Sequence, residues 1–167
     1  MRRLQIARPS PPNPPLIGGC HCGAVRYRLG ALPRAVNACH CLDCKRLTGA
    51  GAGVYLHVER SALTANAGAS HSWRREGGSG TLISISRCAV CGTRMWHEPD
   101  VATGLVLVTA GTLDDNAWAV ASSHIYAEHA APDAVAAEDA LVIEGPPADR
   151  ALLWARFDEL YGVARGG

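Results

Sequence analysis

Val25, Tyr27 and Leu29 alternate with Arg26 and Arg28, the period of two expected when successive side chains leave opposite faces of a half-exposed strand. Gly30 to Pro33 turns the chain, and Ala35 to Ala38 is read as a returning strand. A glycine-rich stretch, Gly49 to Gly53, leads into a further strand over Val54–Val58. Asn66 to Gly80 is rich in Gly, Ser and Ala and is read as one or two turns around Trp73. Leu82–Ser86 and Leu105–Thr109 are strands by the same criteria, the second apolar on both faces and so expected at the centre of a sheet. His124–Ala127 adds one more.

Helical spacing is confined to the C-terminal part. Ala134–Ala140 is short. Ala148–Tyr161 is better supported, since Pro146 and Pro147 precede it, Leu152, Leu153, Phe157, Leu160 and Tyr161 form a stripe, and Gly162 can stop it. The prediction is a mainly β protein with a C-terminal helix. The expected division is a flexible Pro-rich tail over residues 1–17, a β domain over 18–132, and an extension with the helix over 133–167.

Composition narrows the function classes. Hydrophobic residues make up 48% and charged residues 19%, a balance that supports a packed core in a chain of 167 residues. A formal charge of +1 is far from the basic excess of a dedicated nucleic-acid binder, so no nucleic-acid partner is expected. No apolar run approaches the roughly 18 residues that a membrane helix needs. The first fifteen residues carry Arg2 and Arg3 but no apolar signal core, so the expected location is cytoplasmic.

Seven cysteines then decide the chemistry. An odd number does not close into disulfides, and thiols kept reduced and clustered point to metal. The clusters are Cys20-His21-Cys22, Cys39-His40-Cys41-Leu42-Asp43-Cys44 and Cys88-Ala89-Val90-Cys91. Zinc takes four tetrahedral ligands, and short C-x-C or C-x-x-C turns present two thiolates to one ion. Gly92 and Gly23 follow two of these turns and suit the positive φ at which such turns end. One division pairs Cys20/Cys22 with Cys88/Cys91 as a closed structural site and leaves Cys39, Cys41 and Cys44 as a three-ligand site with an open position, the pattern of catalytic zinc. Another joins Cys41/Cys44 to Cys88/Cys91 as a ribbon and strands three cysteines; iron–sulfur ligation and simple burial are further readings.

The motifs Gly19–Tyr27, Cys39–Gly49, Cys88–Gly92 and Gly111-Thr112-Leu113-Asp114 together resemble, in order, those of the glutathione-dependent formaldehyde-activating enzyme family, which includes centromere protein V. That resemblance implies a β-tent fold of zinc-stapled antiparallel sheets and two zinc ions per chain. One would be structural, on Cys20, Cys22, Cys88 and Cys91. The other would be of catalytic type, on Cys39, Cys41 and Cys44. The implied activity is that of a carbon–sulfur lyase joining formaldehyde to glutathione as S-hydroxymethylglutathione, with a small-molecule thiol or aldehyde adduct as partner. The segment His124–Pro132 matches the family's downstream motif, but the tryptophan usual just after it is absent and the chain continues into an extra helix.

His40 is the candidate for proton transfer, lying between two cysteines of the open site and titrating near neutrality in an ordinary setting. Lys45 and Arg46 could balance thiolate charge or hold a substrate carboxylate. His21, His97 and His124 are weaker candidates for the same surroundings, and Asp114 is expected to shape a turn. The contrasting reading is a non-catalytic binding module with two structural zincs, the second completed by His40 or another histidine. Neither the oligomeric state nor the thiol and aldehyde follow from the sequence.

Overall fold

The computed structural model describes residues 1–66, 69–77 and 80–165. In chain order the described strands are β1 (Arg2–Leu4), β2 (Leu16–Gly19), β3 (Arg26–Leu29), β4 (Ala35–Cys39), β5 (Gly53–Glu59), β6 (Leu63–Ala65), β7 (Ser70–Glu76), β8 (Leu82–Cys88), β9 (Arg94–Pro99), β10 (Leu105–Thr109), β11 (Ser123–Ile125), β12 (Val135–Ala137) and β13 (Leu141–Val142). The α-helices are α1 (Leu42–Thr48) and α2 (Ala151–Tyr161). The protein is mainly β with a large sheet and a C-terminal helix. The chain forms two compact units: Met1–Pro11, Arg34–Tyr55 and the stretch from Ala117 onward make the first, and Pro12–Pro33 with Leu56–Asn116 the second. Strand β5 begins in one and ends in the other.

In the first unit β11 lies between β4 and β13 and is parallel to both, with His124 opposite Ala38 and Ile125 opposite Cys39. The resemblance implies antiparallel sheets; this pairing departs from that because the long connection between Cys39 and Ser123 lets Ser123–Ile125 return in the same direction as β4. Helix α2 packs on β4 and β11. Leu153 and Phe157, four residues apart and fully buried, are its inward face, whereas Leu152 is exposed. The Asp149 carboxylate accepts from the Ala151 amide at 2.8 Å, and Gly162 closes the helix at φ 63°. Tyr161 ties the last turn down by donating to the carbonyls of Trp118 and Val120.

Two sequence expectations change in this unit. Ala134–Ala140 is not helical: β12 pairs parallel with β1, and Ala136 and Ala137 are buried. So short a segment gains little from alanine's helix propensity alone, and pairing with β1 supplies hydrogen bonds that this propensity does not. The N-terminal segment, expected to be a loose tail, is held by the same pairing and by Arg8, whose side chain is only 7% exposed against Asp139. Arginine there satisfies the carbonyls of Val120 and Ala121 as well as the carboxylate.

In the second unit β3 pairs antiparallel with both β2 and β6. Val25, Tyr27 and Leu29 are buried and Arg26 and Arg28 exposed, as the alternation requires. Gly18 is held to glycine by crowding, since a Cβ there would strike the Tyr27 ring and the Thr112 carbonyl. Strands β7 to β10 form an antiparallel run in the order β10-β9-β8-β7, joined by the end of β5. The turns expected around Trp73 are replaced by strand, because Ser70–Glu76 pairs residue for residue with Leu82–Cys88. The parts of that expectation at 67–68 and 78–79 lie outside the described residues.

Candidate metal centre and adjoining cavity

In the second unit Cys20 and Cys22 leave the end of β2, and Cys88 and Cys91 sit in the tight turn between β8 and β9. Gly23 and Gly92 have φ of 80° and 74°, and their amides donate back to the carbonyls of Cys20 and Cys88. These returns curl each turn so that its thiols converge. The four Sγ atoms lie within 4.8 Å of one another, with Cys20–Cys22 at 3.5 Å and Cys22–Cys88 at 3.7 Å. Tetrahedral zinc with bonds of about 2.3 Å sets sulfurs about 3.8 Å apart, so the donor set fits such an ion without rearrangement. Cys20 and Cys88 are buried while Cys22 and Cys91 face outward. The Val25 amide donates to Cys20 Sγ at 3.2 Å, and Thr93 Oγ1 lies 3.1 Å from Cys91 Sγ, whose pKa falls to about 5 chiefly through that hydroxyl.

In the first unit Cys39 ends β4, Cys41 caps α1 and Cys44 lies in that helix's first turn. Nothing in the local sequence pattern signals this helix, since seven residues with one buried position leave little helical period to detect. The Cys44 amide donates to Cys41 Sγ at 3.4 Å, and Gly49 ends the helix at φ 67°. The three Sγ atoms again lie within 4.8 Å of one another, and among the described residues no histidine, aspartate or glutamate joins the group. Hydrogen bonds from Cys39 and Cys44 pull the Cys41 thiol down to about 2, while the same bonds push Cys39 up. Both cysteine groups could hold a metal ion.

The family match now decides the chain's relationships. Residues 15–129 match the family described as glutathione-dependent formaldehyde-activating enzyme, GFA. The chain belongs to this family. A Halomonas elongata protein, provisionally named a glutathione-dependent formaldehyde-activating enzyme, is 31% identical over 86 residues, which is 48% of this chain and 54% of that protein. The chain thus spans about half the length of this curated relative. A crystal structure of a Rhodobacter sphaeroides protein is 24% identical, covering 59% of this chain and 88% of its own with a TM-score of 0.48.

For this GFA-family chain, His40 occupies a place that spacing alone did not give. Ala38 and His40 both line a cavity of about 420 Å³, whereas Cys39 between them turns to the thiol cluster on the opposite side of the strand. His40 is buried, and its Nε2 lies 3.0 Å from His124 Nδ1 with the rings stacked. Burial lowers the pKa of His40, and burial followed by the neighbouring His40 lowers His124 to about 4, so the pair is neutral at pH 7.

Two phenols, not singled out by the sequence, attend the three thiols instead. Tyr55 donates to Cys44 Sγ at 3.5 Å, and only glycine at 53 leaves its ring room. Tyr126 follows the residue paired with Cys39 and has φ 54° and ψ 42°, the one non-glycine residue with positive φ among those described. Burial and then the charges of Cys39, Cys41 and Cys44 raise its pKa, in keeping with a phenol near all three. The Gly-x-Tyr spacing could have signalled Tyr55; nothing local signals the Tyr126 backbone.

The remaining candidates are engaged elsewhere. Lys45 Nζ donates to the His129 carbonyl at 2.7 Å, and Arg46 is exposed. His97 lies in the second unit beside Arg94, and His21 is exposed with its amide on Thr93. Asp114 pairs with Arg26 in place of capping its own turn. No helix of the described residues is long and apolar enough to cross a membrane.

Proposed function

We propose that the chain holds two zinc ions, a structural one on Cys20, Cys22, Cys88 and Cys91 and a catalytic-type one on Cys39, Cys41 and Cys44. We further propose that it acts as a carbon–sulfur lyase on the adduct of a small-molecule thiol, glutathione-type, with a small aldehyde. The observation that carries this reading is the convergence of three thiols with no fourth protein donor among the described residues, which leaves one coordination position for a ligand. The same observation disfavours a purely structural second site, because His40 faces the cavity and pairs with His124.

Zinc in such a site supplies positive charge that favours the ionised form of an incoming thiol. In the synthetic direction the substrate sulfur forms a bond to the carbonyl carbon, the C=O π pair moves to oxygen, and the proton lost by sulfur ends on that oxygen. The lyase direction reverses each change. His40, the residue expected to carry that proton, opens into the cavity on the side of the strand away from the thiols and is held there by His124, so the proton is left to solvent at the open position. Tyr55 donates to Cys44 and so moderates the charge of the trio.

Elemental analysis of protein purified without chelator, with free thiols titrated alongside, tests the metal assignment; two zincs and few reactive thiols are expected. Exchange between a thiol and an aldehyde, followed by NMR line shapes, then tests the reaction. One zinc with about three reactive thiols, or exchange no faster than in buffer, would sink the proposal.

A further inference from the structure

The cavity that His40 faces is built almost wholly of small apolar groups. Eleven of its fourteen lining residues are Ala, Val, Ile or Gly, drawn from β4, β5, β12 and the loops beside them. Its polar lining is His40, His124 and Asp133. Among the described residues that line it there is no lysine or arginine. The nearby cations are committed to the protein itself: Arg3 to the carbonyls of Ala137, Glu138 and Ala140, Arg8 to Asp139, and Lys45 to His129.

One polar atom in that wall lacks a partner. His40 is only 3% exposed, and although the Gly51 backbone lies beside its ring, no hydrogen bond of good geometry reaches Nδ1. An unpartnered buried nitrogen is destabilising, because it has given up water without gaining a protein partner. A ligand oxygen would recover that cost: a carbonyl if His40 carries its proton on Nδ1, a hydroxyl in either tautomer. Several walls also lie outside the stretch that matches the family, namely Ile6, Ala131, Asp133, Ala134, Val135 and Ala137. Part of the cavity wall is therefore this chain's own addition.

We infer that this cavity binds a compact, uncharged, apolar carbonyl compound or its alcohol, with the oxygen on His40 and the hydrocarbon against the alanine and valine walls. Glutathione, with two carboxylates and one ammonium, is a poor occupant, because no lysine or arginine is among the described residues that line the cavity and Asp133 would repel its acids. Formaldehyde is far too small to need about 420 Å³. Because His40 opens on the side of the strand away from the thiols, this is a second site, separate from the proposed thiol–aldehyde chemistry. As a binding site it stands without that reaction.

Benzyl alcohol, which cannot react with lysine or thiols, is the probe. Titrated into the zinc-loaded protein, it should shift the imidazole nitrogen resonances of His40 and His124 saturably, and glutathione should not. Ala52→Trp and Ala131→Phe start from half-buried positions and fill the space; each should weaken the probe by about tenfold or more while zinc content and thermal midpoint hold. Shifts with glutathione but not benzyl alcohol, no shift with either, or undiminished binding in both filled variants would overturn the inference. If a filled variant fails to fold, the wild-type titration still decides. Loss of thiol–aldehyde exchange with intact probe binding would remove the proposed reaction and leave the site.

Discussion

His40 Nε2 lies 3.0 Å from His124 Nδ1, with ring centroids 5.3 Å apart and planes 19° from parallel, joining residues 84 positions apart. His124 is 5% exposed and faces His40, with the charges of Arg3 and Arg8 adding to its preference for neutrality. Its folded pKa, about 4, is below the ordinary value near 6.5. Above the ordinary value neither state binds a proton and stability is full; as pH falls toward 4 the unfolded chain gains a proton that the folded chain refuses, and stability is lost. Between about pH 7.5 and pH 5 the wild type should lose about 1 kcal/mol more than His124→Asn, read from urea midpoints. Equal losses would mean that His124 is not held neutral.

Tyr126 should reverse the usual order of two substitutions. At φ 54° a Cβ is strained whatever ring it carries, so Tyr126→Gly should be more stable than Tyr126→Ala by about 1 kcal/mol in chemical denaturation. An alanine variant at least as stable as the glycine variant would show that the backbone relaxes there.

The two cysteine groups should respond differently to loss of a thiol. Cys88, 2% exposed at the end of β8, joins a group drawn from two distant turns, so Cys88→Ser should cost about 3 kcal/mol or more. Cys41→Ser removes one donor from a cluster confined to β4 and α1; it should lose one zinc yet keep its thermal midpoint within a few degrees. Global unfolding of Cys41→Ser would refute the division into structural and catalytic-type sites.

Gly53 and Tyr55 should be energetically coupled. A Cβ at 53 meets the Tyr55 ring, so Gly53→Ala should destabilise by about 1–3 kcal/mol and raise the reactivity of Cys44 toward thiol reagents. In the Tyr55→Ala background the same change should cost much less, a coupling that a double-mutant cycle measures.

Arg8 and Asp139 hold the N-terminal segment against the loop after β12. Because the carboxylate is 42% exposed, Asp139→Asn should cost only about 1 kcal/mol globally, but cleavage within the first eleven residues by a dilute protease should accelerate. Unchanged cleavage would locate the anchor in the β1–β12 pairing alone.

Features set by short spacing were readable along the chain. C-x-C, C-x-x-C and the glycine after two of the turns bring neighbouring thiols together through a few φ angles, so each cluster was legible as a candidate before any fold was known, whereas the meeting of Cys20/Cys22 with Cys88/Cys91 was one of two divisions that spacing allowed. The alternation about Tyr27 and the Leu153/Phe157 stripe before Gly162 were legible for the same reason, since one strand face or one helix face repeats within a few residues. Tertiary structure alone decided that β1 pairs with β12, that β11 runs parallel to β4, that His124 meets His40, and that the imidazole opens into an apolar cavity instead of onto the thiols. Those outcomes depend on strand partners 86 to 133 residues apart, and a residue's own pattern shows which face it prefers to bury without naming the strand that buries it.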